Sequence, residues 1–380
     1  MKIKIEIVNK WNQYLMIIIF LFILLSPTIQ MITPFVSYGR LVKDFNEKRE
    51  LTKLPDFEIE KIEELPNQLN NYINDNFEFR KWLIAWNNYI KVKFFKVSPV
   101  SNVTLGVGDW IFLTYKGVIE NIEGKALFSN DELEKIKEGL EAKKEFLSQN
   151  GSSYYIAIAP NKSSIYPEYL PYSIDVVDKS RTDQLINYIR QNSSIKIIDM
   201  RFELKKDKIN NQLYYKTDSH WNHNGGFIGY EVIMNELKKD YPQLNVYSKN
   251  DFIITSDTLD KGGDVSQMLA LRNEYKKIDY IYTPKEIIPK TNVNWHRNYK
   301  SSKGVEIFTT VTERVDTNLP RLINFHDSFT GYLTDFIPLH FSKSILIWSH
   351  EFKKEIIKQE KPDIVLHTIV ERDIHLLGDM

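Results

Sequence analysis

Two short segments, more than a hundred residues apart, carry the side-chain types of a nucleophilic triad. Residues 217–221 (TDSHW) offer a carboxylate and an imidazole two positions apart, and residues 327–329 (DSF) offer a serine after an apolar run. In a triad the carboxylate orients the histidine, which takes the proton from a serine hydroxyl that is otherwise a weak nucleophile. The two segments together predict Ser328 as nucleophile, His220 as base and Asp218 as the carboxylate that orients the base.

Each segment also has a simpler explanation. Asp218 could cap the helix that follows it, and the Asp-Ser step before residue 329 is a common helix cap. His223 adds a metal alternative, with Asp218, His220 and His223 as ligands, but no further ligand is evident, and we predict neither a metal nor a cofactor. A working pair requires about 2.6–3.2 Å between the Ser328 hydroxyl and the His220 ring. Two unrelated caps would leave them more than about 5 Å apart.

Other residues could complete the site. The backbone amides of Ser328 and Phe329, at the start of a predicted helix, could stabilise an oxyanion. Four side chains are candidates for contact with substrate, although a solvated loop, a salt bridge or core packing would explain them as well. They are Lys162, Tyr166, Trp221 and Arg372.

These residues need an α/β framework to bring them together. Strands are predicted at residues 153–159, 195–200, 322–325, 344–348 and 364–369, and helices at 131–149, 181–191, 225–238 and 352–359. Such alternation indicates a mostly parallel sheet with helices on both faces, a three-layer α/β/α sandwich. Ser328 and Lys162 follow strands, at the sheet edge where open α/β folds bind ligands.

Composition limits the possible partners. The 380 residues have a formal net charge of zero, which gives no reason to expect nucleic acid or an anionic membrane surface as the main partner. The chain contains no cysteine, and this excludes disulfides, thiolate metal sites and a cysteine nucleophile. Phe, Trp and Tyr make up 13% of the residues, which suits stacking on sugar rings but equally suits a large core.

The N-terminus indicates export. Residues 14–25 are apolar, lysines precede them, and apolar character continues in part to residue 36. This charge order predicts a cytoplasmic tip and a catalytic domain outside the cytoplasm. We predict an uncleaved transmembrane anchor at 1–36, with a cleaved signal peptide as the alternative, since no clear cleavage site follows. A stalk and helical segment is predicted at 37–100 and the catalytic domain at 101–380, with an irregular insertion at about 241–315.

Five segments resemble one known family in the expected order. They are GVGDWIFL at 106–113, APNKSSIYPEYLP at 159–171, KTDSHWNHNGG at 216–226, DSFTGYL at 327–333 and KPDIVLHTIVER at 361–372. The chain thereby resembles the AlgX/AlgJ-like alginate O-acetyltransferases, or DHHW proteins, which carry an SGNH-hydrolase-like domain. The resemblance implies that fold, a triad of Ser328, His220 and Asp218, and acetyl transfer to an extracytoplasmic polysaccharide through an acetyl-serine.

The resemblance also implies a partner, a membrane-bound O-acyltransferase that supplies the acetyl group. A cell-wall or secreted glycan is the expected acceptor. Two other functions stay open at this point. An SGNH-type esterase would use the same triad to remove acetyl groups, and a non-catalytic glycan-binding scaffold of the cell envelope would have no working triad.

Overall fold

The computed structural model describes residues 2–33, 50–286, 292–300, 306–314 and 318–379. The chain divides into two compact units. One comprises Met1–Pro99 with Ser266–Tyr275, and the other Val100–Val265 with Lys276–Met380. The predicted stalk falls partly outside the described residues, as do positions 287–291, 301–305 and 315 of the predicted insertion.

The described residues form eleven α-helices and eleven strands, together with short 3-10 helices. The α-helices are α1 Lys2–Ile32, α2 Leu65–Asn76, α3 Arg80–Lys93, α4 Val118–Ile122, α5 Asn130–Gln149, α6 Lys162–Ile165, α7 Arg181–Asn192, α8 Arg201–Asp207, α9 His223–Lys238, α10 Asp264–Met268 and α11 Lys354–Glu360. The strands are β1 Val103–Leu105, β2 Ile111–Leu113, β3 Ser153–Ala159, β4 Lys196–Asp199, β5 Phe252–Leu259, β6 Lys277–Pro284, β7 Asn292–Lys300, β8 Glu306–Glu313, β9 Arg321–His326, β10 Lys343–Trp348 and β11 Ile364–Val370. Short 3-10 helices include Ser328–Tyr332 and Glu371–Gly378.

The N-terminal helix α1 contains Pro27 near its end. Within the described part of the chain, no helix is both long enough and apolar enough to cross a bilayer. The continuous apolar run at 14–25 is a dozen residues, whereas a span needs about 20. The prediction of a transmembrane anchor at 1–36 is therefore not supported, and its last three positions lie outside the described residues.

The larger unit contains a seven-stranded sheet in the order β4-β3-β11-β9-β10-β8-β7. Strands β4, β3, β11, β9 and β10 run parallel, while β8 and β7 add an antiparallel edge. The predicted mostly parallel sheet is confirmed. Strands β7 and β8 of this edge lie within the predicted insertion at about 241–315. The insertion also contains β5 and β6, which form a separate antiparallel pair.

Both faces of the sheet are buried, because alternate residues of its central strands enter different cores. In β3, Tyr155 and Ala157 pack with one cluster, and Ile156 and Ile158 pack with the other. The first cluster includes side chains of α9, and the second includes side chains of α5, α7 and α11. A strand covered on both faces reads as a nearly continuous apolar run, as SYYIAIA does. Helices therefore lie on both sides of the sheet.

Helix α9 begins directly after the TDSHW segment. Asn222 caps it by accepting a hydrogen bond from the amide of Gly225 at 3.1 Å. A Cβ at Gly226 would lie 2.5 Å from the carbonyl oxygen of Tyr332, in the 3-10 helix that Ser328 begins. Glycine at this position lets α9 approach that helix closely, which brings the two segments of interest together.

Candidate active site

The fold brings the two distant segments into direct contact. Ser328 starts a 3-10 helix one residue after β9, and His220 lies in the loop before α9. The Ser328 Oγ is 2.7 Å from the Nε2 of His220, and the Nδ1 of His220 is 2.7 Å from the Oδ1 of Asp218. The Asp218 carboxylate accepts the Nδ1 proton, which leaves Nε2 to accept the serine proton. The spacing required for a working pair is met, and the scaffold alternative, which predicted more than about 5 Å, is wrong on this point.

Asp218 is held in its ionised form. Its side chain is almost fully buried, and burial alone would favour the neutral acid. The hydrogen bond and charge of His220 outweigh burial, so the pKa of Asp218 lies well below its usual range. A permanently charged carboxylate next to Nδ1 stabilises the imidazolium that forms when His220 takes a proton.

A second carboxylate, Asp264, lies behind the same imidazole. Its Oδ1 accepts the amide of Ser219 at 2.7 Å, and its Oδ2 accepts the Ser219 hydroxyl at 2.6 Å. Oδ2 is 3.8 Å from the Nδ1 of His220, beyond hydrogen-bond range. Burial and the adjacent charge of Asp218 raise the pKa of Asp264. Asp264 therefore holds the loop, whereas Asp218 makes the direct contact with the base.

Sequence reasoning missed Asp264 because it lies in a segment assigned to an irregular insertion. The available signal was the pair Gly262-Gly263 just before it. The amide of Gly263 donates to the Thr217 hydroxyl at 3.0 Å, and a Cβ at Gly263 would collide with Asp218. Only a glycine lets this backbone lie against the carboxylate.

Asp327 fixes the turn that presents Ser328. Its Oδ1 accepts the amide of Phe329 at 2.9 Å, and its Oδ2 accepts the amide of Val370 at 2.6 Å. The expected cap is thus present at Asp327, and it coexists with the contact between Ser328 and His220. The prediction that the Phe329 amide stabilises an oxyanion is wrong, because this amide is already donated to Asp327. The amide of Ser328 remains the candidate donor.

The metal alternative does not fit His223. Its Nδ1 lies 3.2 Å from Asp279 and its Nε2 lies 3.5 Å from Asp335, so it points to a different set of carboxylates. Asp218, His220 and Asp264 are close enough together to be considered as ligands. Two ligand atoms about 2.0–2.1 Å from a zinc ion at a tetrahedral angle would be about 3.3 Å apart. The observed 2.7 Å between His220 and Asp218 matches a hydrogen bond instead.

Lys162 is a structural residue of the site loop, which corrects its assignment to substrate. Its side chain is buried, and the three N–H donors of its Nζ are shared by four backbone carbonyls. These are Ile111 at 2.5 Å, Tyr215 at 3.1 Å, Lys216 at 3.0 Å and Asp218 at 2.7 Å. Burial lowers the pKa of Lys162 to about 7, although the charges of Asp218 and Asp264 favour the ammonium form. The side chain ties β2 to the loop that carries Asp218.

Tyr166 and Trp221 also belong to the packing around the site, not to a substrate surface. Both rings are buried. The Tyr166 hydroxyl accepts the amide of Leu213 at 2.9 Å. The indole Nε1 of Trp221 donates to the carbonyl of Phe329 at 3.0 Å. Substrate contact by these two residues was predicted wrongly; Trp221 instead links the histidine loop to the serine helix.

Arg372 lies next to the site. Its guanidinium carbon is 5.6 Å from the centre of the Phe329 ring, and that ring is centred 5.0 Å from the ring of His220. Arg372 Nη1 donates to the Oδ1 of Asn161 at 3.4 Å, and the buried Nδ2 of Asn161 has no acceptor among the described residues. These two side chains bring hydrogen-bond donors to the carboxyl ends of β3 and β11. Substrate binding by Arg372 stays a prediction.

Comparison with known proteins gives a family match over a segment that contains two of the three contacting residues. Residues 103–305, just over half of the chain, match the family described as SGNH hydrolase-like domain, acetyltransferase AlgX. The matched range includes Asp218 and His220 and ends before Ser328. The probable alginate O-acetylase AlgJ of Azotobacter vinelandii is 22% identical over 172 residues, which cover 44% of this chain and 42% of that protein. The chain therefore matches less than half the length of this relative.

Solved structures share the fold. PatB1 of Bacillus cereus aligns with a TM-score of 0.52 at 18% identity, over 70% of this chain and 95% of that chain. A DHHW family protein from Eubacterium siraeum aligns with a TM-score of 0.52 at 16% identity, over 73% of this chain and 97% of that chain. At such low identity these likenesses concern the architecture alone.

Proposed function

Because the chain belongs to the family of SGNH hydrolase-like domains typified by the acetyltransferase AlgX, we propose that it is a polysaccharide O-acetyltransferase that carries the acetyl group on Ser328. The observation that carries the proposal is the continuous chain of contacts from Ser328 through His220 to Asp218, with 2.7 Å at each step. These are the distances at which a histidine can take a proton from a serine while a carboxylate orients it.

In the first half of the reaction, the Ser328 Oγ attacks the carbonyl carbon of an acetyl donor. The serine proton moves to the Nε2 of His220, and the negative charge on the carbonyl oxygen accepts a hydrogen bond from the Ser328 amide. The bond from the carbonyl carbon to the donor oxygen or sulfur then breaks, and the leaving group takes the proton from His220. The product is an acetyl ester on Ser328.

In the second half, a sugar hydroxyl attacks the acetyl ester. His220 accepts the proton of this hydroxyl, the bond to the Ser328 Oγ breaks, and the serine recovers the proton from His220. Water in place of the sugar would give net hydrolysis, so access of water decides between transferase and esterase. The rings of Phe329 and Tyr332, centred 5.0 and 6.1 Å from the His220 ring, form apolar walls beside the base.

We further propose that the acceptor is a cell-wall or secreted polysaccharide outside the cytoplasm and that a membrane-bound O-acyltransferase supplies the acetyl group. The charge order around residues 2–25, with lysines ahead of the apolar run, supports export of the larger unit. Deletion of a neighbouring acyltransferase gene should remove glycan acetylation while leaving activity of the purified chain with a soluble donor intact.

The test compares the unaltered protein with Ser328→Ala. The full chain is incubated with an activated acetyl ester and glycan oligosaccharides, and acetylated oligosaccharide is measured by mass spectrometry. We expect Ser328→Ala to lose transfer to the background level and to lack the mass increase of one acetyl group that a quenched reaction gives for the unaltered chain. Transfer by Ser328→Ala at the original rate would refute the nucleophile.

A covalent probe provides a control that does not depend on the acceptor. PatB1 of Bacillus cereus has been solved with a sulfonyl adduct. We expect a sulfonyl fluoride to label this chain at Ser328 and to label neither Ser328→Ala nor His220→Ala. If the chain is labelled at Ser328 and releases acetate from the activated ester, but transfers no acetyl group to any glycan, the esterase is favoured.

A further inference from the structure

Helix α3 presents an apolar stripe to solvent. Trp82, Trp86 and Ile90 recur every four residues with Leu83 beside them, and each side chain is between 37% and 48% exposed. The rings of Trp82 and Trp86 are in edge-on contact at 5.9 Å. Side chains spaced by three and four residues share one helix face, so this is a continuous apolar surface. We call these four residues the α3 stripe.

The opposite face of α3 is packed, so the stripe does not result from a loosely placed helix. Ala85, Asn88 and Val92 are buried on that face. The Asn88 side chain donates to the carbonyl of Leu269 at 2.9 Å, and the Lys93 ammonium lies 4.3 Å above the ring of Tyr275. The smaller unit thus has its own interior on one side of α3, and the described residues leave the α3 stripe partly exposed.

The segment that contains the stripe is cationic, although Glu78 directly precedes it. Positions 79–98 carry five cationic side chains and no carboxylate. The cationic residues are Arg80, Lys81, Lys91, Lys93 and Lys96. Just past the helix end, Phe94 and Phe95 are 73% and 69% exposed and extend the apolar surface. A helix with tryptophan and aliphatic residues on one face and lysine or arginine at its borders is the pattern of an element that lies in a lipid interface.

We propose that the α3 stripe lies in the headgroup region of a membrane that contains anionic lipids. The tryptophans and Ile90 enter the boundary between headgroups and acyl chains, and the exposed Lys81, Lys91 and Lys96 contact lipid phosphates. Charge complementarity selects this occupant over a second copy of the chain, because two stripes facing each other would bring together cations of the same sign. The proposal concerns the smaller unit and does not depend on the reaction at Ser328.

The absence of cysteine permits a local test in the full chain. Leu83→Cys on the stripe is labelled with a polarity-sensitive fluorophore, and Tyr172→Cys, which is 99% exposed in the larger unit, serves as the control. Each protein is mixed with two kinds of vesicle. One contains phosphatidylcholine alone, and the other contains phosphatidylcholine with about 30% phosphatidylglycerol, which resembles an anionic membrane. The label reports its own surroundings, so attachment of the chain through another segment does not give the signal.

We expect a blue shift and protection from an aqueous quencher at Leu83→Cys with phosphatidylglycerol, a weaker response with phosphatidylcholine, and none at Tyr172→Cys. Adding Lys81→Gln and Lys91→Gln should weaken the response roughly fivefold for each lysine removed. Three results would each overturn the proposal. The label at Leu83→Cys could stay exposed to water with both vesicles, it could respond equally to both lipids, or it could already be shielded from the quencher without vesicles. The last result would indicate contact with a second copy.

Discussion

At the scale of residues, two carboxylates lie near one imidazole and have different tasks. Asp218 touches the Nδ1 of His220 at 2.7 Å, whereas Asp264 reaches it only at 3.8 Å and uses its oxygens on Ser219. Their acidities differ accordingly, since the pKa of Asp218 is lowered and that of Asp264 is raised. The structure therefore separates a carboxylate that orients the base from one that holds the loop.

This difference predicts unequal effects of equivalent substitutions. Asp218→Asn should lower kcat by roughly 10⁴-fold, because the amide favours the wrong tautomer of His220 and no longer stabilises its charged form. Asp264→Asn keeps one acceptor oxygen for Ser219 and should lower kcat by roughly 10-fold or less. Both rates are measured as acetyl release from an activated ester, with circular dichroism as the control for folding. A larger loss in Asp264→Asn would reverse the assignment.

The sequence contained enough information to select the three site residues but not the residues that support them. Asp218, His220 and Ser328 were identified because their types and spacing suit one chemistry and because Ser328 follows a recognisable strand. Asp264 could not be found in this way, since its contact with Ser219 depends on how an irregular segment returns to the loop. Lys162 was predicted to contact substrate because it follows a strand and so lies at the edge of the sheet where ligands bind. A position after a strand does not, however, indicate the direction in which the side chain points.

At the scale of elements, the regular segments were predictable and their irregular connections were not. The predicted boundaries of β3 and α5 are close to those observed. A strand buried on both faces is a continuous apolar run, whereas a helix buried on one face has apolar residues every three or four positions. The segment at 37–100, predicted as a stalk with helical character, contains two helices, α2 and α3, which are separated by residues 77–79. The antiparallel edge of β7 and β8 falls in the segment predicted only as an irregular insertion, since its register depends on the pairing of β8 with β10.

Lys162 makes a prediction about the connection between β2 and the histidine loop. Lys162→Met should reduce the free energy of unfolding by about 2–4 kcal/mol, because a similar volume remains but backbone carbonyl oxygens lose their hydrogen bonds to a buried donor. Lys205→Met, at an exposed position, is the matched control and should change stability by less than about 0.5 kcal/mol. Urea unfolding measures both. Equal stabilities of the two variants would show that the ammonium does not support the loop.

At the scale of the whole molecule, one histidine makes stability depend on pH. Burial disfavours a charge on His223, but its ion pairs with Asp279 and Asp335 outweigh burial and raise its pKa from 6.5 to about 9. A raised pKa means that the folded state binds the proton more tightly, so the contribution is complete below about pH 6.5 and disappears as the pH rises through about 9.

The corresponding measurement is urea unfolding of the full chain and of His223→Gln at several pH values between about 6 and 10. We expect the unaltered chain to be more stable than the variant by about 2 kcal/mol at the acidic end, and the difference to vanish at the alkaline end. Because both proteins contain the same other titratable groups, the contributions of those groups cancel in the difference between the two free energies of unfolding. A gap that stays constant across this range would indicate that His223 contributes by packing alone.

The place of β11 in the sheet has a consequence for biosynthesis. Strand β11 lies between β3 and β9, and Asp327 accepts the amide of its final residue, Val370. Ser328 therefore obtains its full support only after residues 364–370 have been inserted between these two strands. Until the ribosome has released these residues, β3 and β9 have no common neighbour and the serine turn lacks one of its two anchors. Hydrolytic or transfer activity should thus be absent from nascent chains, and from truncated variants, that end before residue 364.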